Sequence, residues 1–237
     1  MIEVVTPPVA KVELISHTIS PVRVIATVAR TFEGELSTEL TSMSYENKVL
    51  EQLQKTELQG PLEMVNFVWL ISDVTRAFTH QIVRYRIGTS FSQESLRFSN
   101  KTDAKVLDTT GGNDDYLLSV QCALRSYHNM VESGVPIQDA RGILPTNILT
   151  SLFFSCSLRT LINIYRQRVC EQAQHGEWEV VLGKMKKLIE HRIDPRLAGL
   201  LKMSCEDGGK CLFESIWDRP CPRREQHGSG TTTGANS

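Results

Sequence analysis

The chain has 237 residues, 41% of them apolar, and a formal net charge of −1. That apolar share supports a packed core and argues against general disorder. The near-zero charge excludes the broad basic field with which a protein grips nucleic acid. No apolar run reaches the roughly 20 residues of a membrane-spanning helix. The opening Met-Ile-Glu-Val-Val-Thr-Pro-Pro also lacks the charged head and long apolar stretch of a secretory leader, so a cytoplasmic protein without membrane contact is expected.

Residues 10–19 alternate loosely and read as a strand. Pro21 then opens a helix over 22–31, since its fixed φ suits a first turn. A second helix is expected over 44–55, with Leu50 and Leu53 on one side, and Gln59-Gly60-Pro61 is a break. Residues 62–71 are rich in strand formers. Asp73 follows as the expected cap of a helix reaching about Val83, which delivers Arg84-Tyr85-Arg86 at its end.

Residues 87–94 read as a polar Gly/Ser/Thr loop between that cluster and Ser95-Leu96-Arg97. Arginine is permanently charged and presents a planar fork of donors matched to phosphate and carboxylate oxygens. Two such clusters around one loop suit a phosphorylated small molecule, which needs only local positive charge.

A long helix is predicted from Asp114 or Asp115 to Ser133. Its start is acidic, Leu117, Val120, Leu124, Tyr127 and Val131 recur at helical spacing, and Gly134 follows its end. A short helix over 136–143 stops at Pro145, and 147–156 reads as a buried strand. Ser157 caps a helix through Val169, and Gly176 precedes another over 177–191. Strands and helices in this irregular order favour an α+β fold, a mixed sheet flanked by helices with a helical C-terminal part. One domain over 1–219 is expected, with a flexible polar tail over 220–237.

On the 157–169 helix, Arg159, Asn163 and Arg166 share one face at about 100° per residue. Leu158, Leu161, Ile162 and Tyr165 form an apolar face, and Arg168 projects roughly opposite Arg159. The helix could serve two ligand regions, or two sites across a subunit boundary. Equally, surface arginines serve solubility and stem packing. The six cysteines read as reduced, small core residues. Cys205, Cys211, Cys221 and His227 match no tight metal-binding pair, so no metal is expected. His80 reads as a packed or surface histidine.

The stretch from Gln81 through Arg84-Tyr85-Arg86 to Ser95-Leu96-Arg97-Phe98 resembles the signature of flavin-dependent thymidylate synthases, Arg-His-Arg-x7-Ser-x-Arg-Tyr. The downstream run from Ala140-Arg141 through Leu144-Pro145 and Asn147, Ser157, Arg159 and Asn163 to Arg168 fits the family's second block. Pro61-Leu62-Glu63 resembles its Pro-x-Glu, so the likeness spans roughly residues 10–195. Cys221-Pro222 resembles a segment near the family's C-terminus.

The resemblance implies a homotetramer of α+β fold with active sites at subunit interfaces. It implies FAD as cofactor, and dUMP, methylenetetrahydrofolate and NADPH as substrates. Carried over by position, Arg84, Tyr85, Arg86, Ser157, Arg159 and Asn163 would hold FAD. Gln81, Gln93, Glu94, Ser95, Arg97, Arg141 and Arg168 would hold dUMP, with Ser95 and Arg168 nearest the chemistry. The flavin would carry the redox step, and the protein would supply position and electrostatics.

The chain departs from the pattern at several points. Tyr85 replaces the signature histidine, eight residues rather than seven separate Arg86 from Ser95, and Gln93 stands where many members have Glu. Glu57-Leu58-Gln59-Gly60 offers no histidine before Pro61, and Gln172 stands near a later histidine of the family. These departures keep two alternatives open: a related pyrimidine nucleotide C5 hydroxymethylase or other modified-pyrimidine synthase, and a non-catalytic nucleotide-binding homologue.

Overall fold

A computed structural model describes residues 3–6, 8–170, 176–203 and 205–206. The first half of the chain forms β1 (Val4–Val5), β2 (Lys11–His17), α1 (Pro21–Ala29), α2 (Met43–Gln54), β3 (Asn66–Thr75), α3 (Arg76–Ile82) and β4 (Thr89–Gln93). The second half adds β5 (Val106–Leu107), α4 (Asp114–Glu132), α5 (Ile137–Ala140), β6 (Leu149–Ser157), α6 (Leu158–Arg168), α7 (Glu177–Arg192) and α8 (Pro195–Ala198).

Four strands form one sheet in the order β2-β3-β6-β4, every pair antiparallel. β1 and β5 make a separate parallel pair, tied to the rest by a bridge between Val106 and Ile148. The α+β class holds, with the two strand directions divided between two small sheets.

Period-two alternation decides which face of the main sheet is covered. Phe67, Trp69 and Ile71 of β3 and Leu152, Phe154 and Cys156 of β6 are buried together with the apolar faces of α1, α6 and α7. Each such large side chain contributes about 1.5–3 kcal/mol on burial. Val68, Leu70 and Phe153 occupy the alternate positions, where Phe153 is 45% exposed. A second, smaller core joins Val106 and Ile148 to Val120 and Leu124 of α4. There the buried Asn147 donates to the carbonyl of Leu107 at 2.6 Å and is also bonded to the Tyr116 hydroxyl. Among the described residues no helix is long and apolar enough to cross a membrane.

Three expectations need correcting. The strand expected over 62–71 begins later, because Gly60–Met64 coils into a 3-10 turn around Pro61, and β3 runs on to Thr75. Asp73 caps no helix. It lies inside β3 with φ +56°, where the register shifts between Ile71 and Val74, and its carboxylate pairs with Lys11 at 2.8 Å. The cap of α3 is Thr75, whose hydroxyl accepts from the Phe78 N–H at 2.9 Å.

Nor is 87–94 a loop. After a turn at Gly88 it becomes the edge strand β4, paired from Thr89↔Cys156 to Gln93↔Leu152. Phe91 stacks on Phe154 with ring centroids 5.2 Å apart, and this one aromatic contact anchors an otherwise polar strand. The predicted tail over 220–237, Gln172, Cys211, Cys221 and His227 lie outside the described residues.

Candidate functional site

Helix α3 ends where the Arg84–Gly88 turn begins, and that turn is docked on the start of α6. Thr160 donates its hydroxyl to the carbonyl of Ile87 at 3.0 Å, and the Ser157 N–H donates to the carbonyl of Gly88 at 3.0 Å. Thr89 closes the turn by donating to the carbonyl of Tyr85 at 2.6 Å. Gly88 has φ +65°, and a Cβ there would lie 2.7 Å from Thr160 Oγ1, so the turn requires glycine for both conformation and space.

This docking places Arg84, Tyr85 and Arg86 opposite Arg159, Asn163, Arg166 and Gln167 across a cleft of about 790 Å³. Glu57, Gln59 and Glu63 line the same cleft. Of the residues expected to hold FAD, five line it. The sixth, Ser157, is a correction: it is buried, and its hydroxyl accepts the Thr160 N–H at 3.2 Å as the N-cap of α6. Arg159 donates to Glu63 at 2.6 Å in a half-exposed ion pair. Such a pair is worth at most about 1 kcal/mol, so it orients the guanidinium more than it stabilises the fold. Arg166, Gln167 and Glu63 were not assigned to the site from sequence. The helical face shared by Arg159, Asn163 and Arg166 was the available signal.

Arg168 turns the other way on α6, as the helical phase requires. Its Nε donates to the Tyr85 hydroxyl at 2.8 Å, and that hydroxyl donates to Gln167 Oε1 at 3.0 Å. Gln167 in turn donates to Asn163 at 3.0 Å. The Arg168 guanidinium carbon lies 5.3 Å from the ring centre of Trp178, whose indole N–H donates to Gln81 at 2.8 Å. Gln81 and Arg168 are thus gathered around Trp178. Sequence reading passed over Trp178, because its link to α3 spans 97 residues.

The other expected dUMP contacts share no described hydrogen bond with this pair. Arg97 reaches Gln138 of α5 at 3.5 Å, and Ser95 accepts the Arg97 N–H at 3.4 Å in the turn after β4. Arg76 donates to the carbonyl of Glu94 at 3.1 Å. Burial lowers the Arg76 pKa, Glu94 opposes that shift, and nearby Arg141 adds to it. Arg76, Arg97 and Arg141 therefore concentrate positive charge around exposed Ser95.

Two members of the expected set are engaged within the chain. Gln93 donates to the Thr79 hydroxyl at 2.6 Å. The Glu94 carboxylate accepts from Lys101 at 2.6 Å, Ser99 at 2.5 Å and Thr150 at 2.9 Å. Burial pushes the Glu94 carboxyl up, but Lys101, Ser99 and Thr150 together outweigh it and hold the group below its ordinary value. Glu94 is thereby an internal anchor. Ser95 is exposed in the turn after β4.

What aims α3 is a contact from α7. Glu177 accepts both the N–H and the hydroxyl of Thr75, each at 2.6 Å, directly at the cap of α3. Burial raises the Glu177 carboxyl above its ordinary value, and the two Thr75 bonds offset part of that shift. His80 is exposed on α3. Burial pushes the Cys156 thiol up to about 12, which leaves it inert. Among the described residues no group of three His, Cys, Asp or Glu side chains is placed to hold a metal ion.

The chain is similar to proteins already known. The family model described as thymidylate synthase complementing protein matches residues 13–193. A flavin-dependent thymidylate synthase of Pyrococcus furiosus is 31% identical over 202 residues, covering 78% of this chain and 81% of that protein. Its counterpart in Geobacter sulfurreducens is 29% identical over 218 residues, covering 84% and 92%. Among solved structures, the UMP/dUMP methylase PolB of Streptomyces cacaoi superposes with a TM-score of 0.69 at 20% identity, covering 84% of this chain and 96% of that one. At that identity the likeness establishes the fold.

Proposed function

The chain belongs to the thymidylate synthase complementing protein family, and on that footing we propose that it is a flavin-dependent thymidylate synthase. It transfers a one-carbon unit from methylenetetrahydrofolate to C5 of dUMP, and NADPH is the source of reducing equivalents. The observation that carries this reading is the cleft of about 790 Å³ in which Arg84, Arg86, Arg159 and Arg166 converge with Asn163 and Gln167. Its donor set fits FAD: four guanidinium forks for a pyrophosphate and two amides for a ring edge, in a volume typical of cofactor sites.

Bound there, FAD supplies the redox chemistry. The protein binds and orients. Arg168 and Gln81 hold the pyrimidine nucleotide beside the cleft, and Arg97 and Arg141, with Ser95, hold its phosphate. Charge-assisted, planar contacts of this kind fix an anion in orientation as well as in place. The two nucleotide-binding groups share no described hydrogen bond within one chain, and the active site is completed between subunits of a homotetramer. On the outer face of the sheet the exposed Phe153, with the half-buried Val68 and Leu70, offers apolar surface for that assembly.

The test is direct. Purified protein is expected to carry, or take up, FAD with its visible absorption bands. It is expected to form dTMP from dUMP, methylenetetrahydrofolate and NADPH. No flavin binding together with no dTMP refutes the proposal, and a product heavier by one oxygen marks the hydroxymethyl reaction instead.

A further inference from the structure

We propose that Tyr85 is a positioning residue for the nucleotide, presetting Arg168, and is not a ligand of the flavin. The inference rests on the nucleotide-binding reading of Arg168. Sequence position alone puts Tyr85 with the flavin residues, between Arg84 and Arg86. The hydroxyl, however, is committed in both directions inside the chain: it accepts from Arg168 Nε at 2.8 Å and donates to Gln167 at 3.0 Å.

A bond at Nε fixes the plane of a guanidinium without using its terminal nitrogens, the edge that grips carboxylate or phosphate oxygens in pairs. The Tyr85 ring meets Trp178 edge-on at 6.3 Å and 77°. The Arg168 guanidinium carbon is 5.7 Å from the Tyr85 ring centre and 5.3 Å from that of Trp178, within cation–π range of both. Trp178 is fully buried and bonds Gln81, so one aromatic pair sets both nucleotide contacts. A phenol carries its oxygen beyond the far end of a six-membered ring. Neither nitrogen of an imidazole reaches so far from the backbone, so this tether belongs to tyrosine.

Tyr85→Phe keeps the ring and removes the oxygen. The full-length, FAD-loaded protein is titrated with dUMP by calorimetry, with flavin content followed in the visible spectrum. Loss of one charge-assisted hydrogen bond is expected to weaken dUMP binding about tenfold and to leave FAD affinity within about twofold. The effect is also expected to vanish in an Arg168→Ala background, because both substitutions then remove the same contact.

Loss of FAD with dUMP binding intact overturns the proposal and returns Tyr85 to the flavin. So does a Tyr85→Phe effect that adds in full to that of Arg168→Ala. Unchanged dUMP binding in Tyr85→Phe overturns the positioning role alone, whereas wild-type protein that binds no dUMP overturns the nucleotide reading itself. Should Tyr85→Phe fail to fold, Trp178→Phe removes the bond to Gln81 and reduces the ring against which Tyr85 and Arg168 pack. It is expected to weaken dUMP the same way with FAD retained, and unchanged dUMP affinity there counts against the proposal.

Discussion

Replacing Gly88 by alanine tests the argument that a single turn builds the cleft. At φ +65° an alanine pays the left-handed penalty of about 1–2 kcal/mol. Its Cβ would also sit 2.7 Å from Thr160 Oγ1 and 3.1 Å from Ser157 Oγ. The threonine hydroxyl must then leave the carbonyl of Ile87, costing about 1 kcal/mol more. The sum, about 2–3 kcal/mol, lowers the melting temperature of a chain of this size by roughly 4–12 °C.

Calorimetric melting of the apoprotein measures that shift, and visible absorption measures flavin uptake, which is expected to fall as Arg84 and Arg86 move with the turn. Thr160→Ala takes away the nearest obstacle. In its presence Gly88→Ala is expected to cost less than alone, leaving mainly the backbone term. A Gly88→Ala protein that melts within about 1 °C of wild type and binds flavin fully would refute the claim that the docked turn shapes the site.

Arg168→Ala is expected to weaken dUMP binding by about tenfold or more, measured by calorimetry, as loss of a charged donor requires. Glu63→Gln is expected to change stability by less than about 1 kcal/mol in denaturant melts, because its pair with Arg159 is half exposed. The Glu177 pKa is raised by burial, so its contribution to stability is present below the ordinary value of 4.5 and is lost as pH rises through the folded pKa. Melting temperature plotted against pH is expected to lose that decline in Glu177→Gln. The Glu94 pKa is lowered, so its contribution is present above 4.5 and lost as pH falls through the folded pKa. Glu94→Gln is expected to flatten the acid side of the same plot.

Elements with their own periodicity were legible in the sequence. The helix expected over 114–133 is α4 to within a residue, and Ser157 caps α6 as its chemistry predicts. Elements whose reason to exist lies in a neighbour were not legible. β4 has one apolar side chain, Phe91, and its composition is that of a loop until β6 is there to pair with it. Asp73 and Thr75 are both plausible caps two residues apart. The choice falls to Thr75 because Glu177, 102 residues on, accepts its N–H and hydroxyl while Lys11 draws Asp73 into the strand.

The candidate site divides along the same line. Arg84, Arg86, Arg159 and Asn163 could be named from the resemblance to the family, since two local segments carry its motifs. Their relation to Arg168 could not, because it passes through Tyr85 to Gln167 across 82 residues and through Trp178 to Gln81 across 97. Tyr85 departs from the family pattern in sequence, yet in the structure its hydroxyl joins Gln167, on the cleft side of α6, to Arg168 on the other side. One hydroxyl that both accepts and donates makes that join. A titrating imidazole there would change its donor count across neutrality.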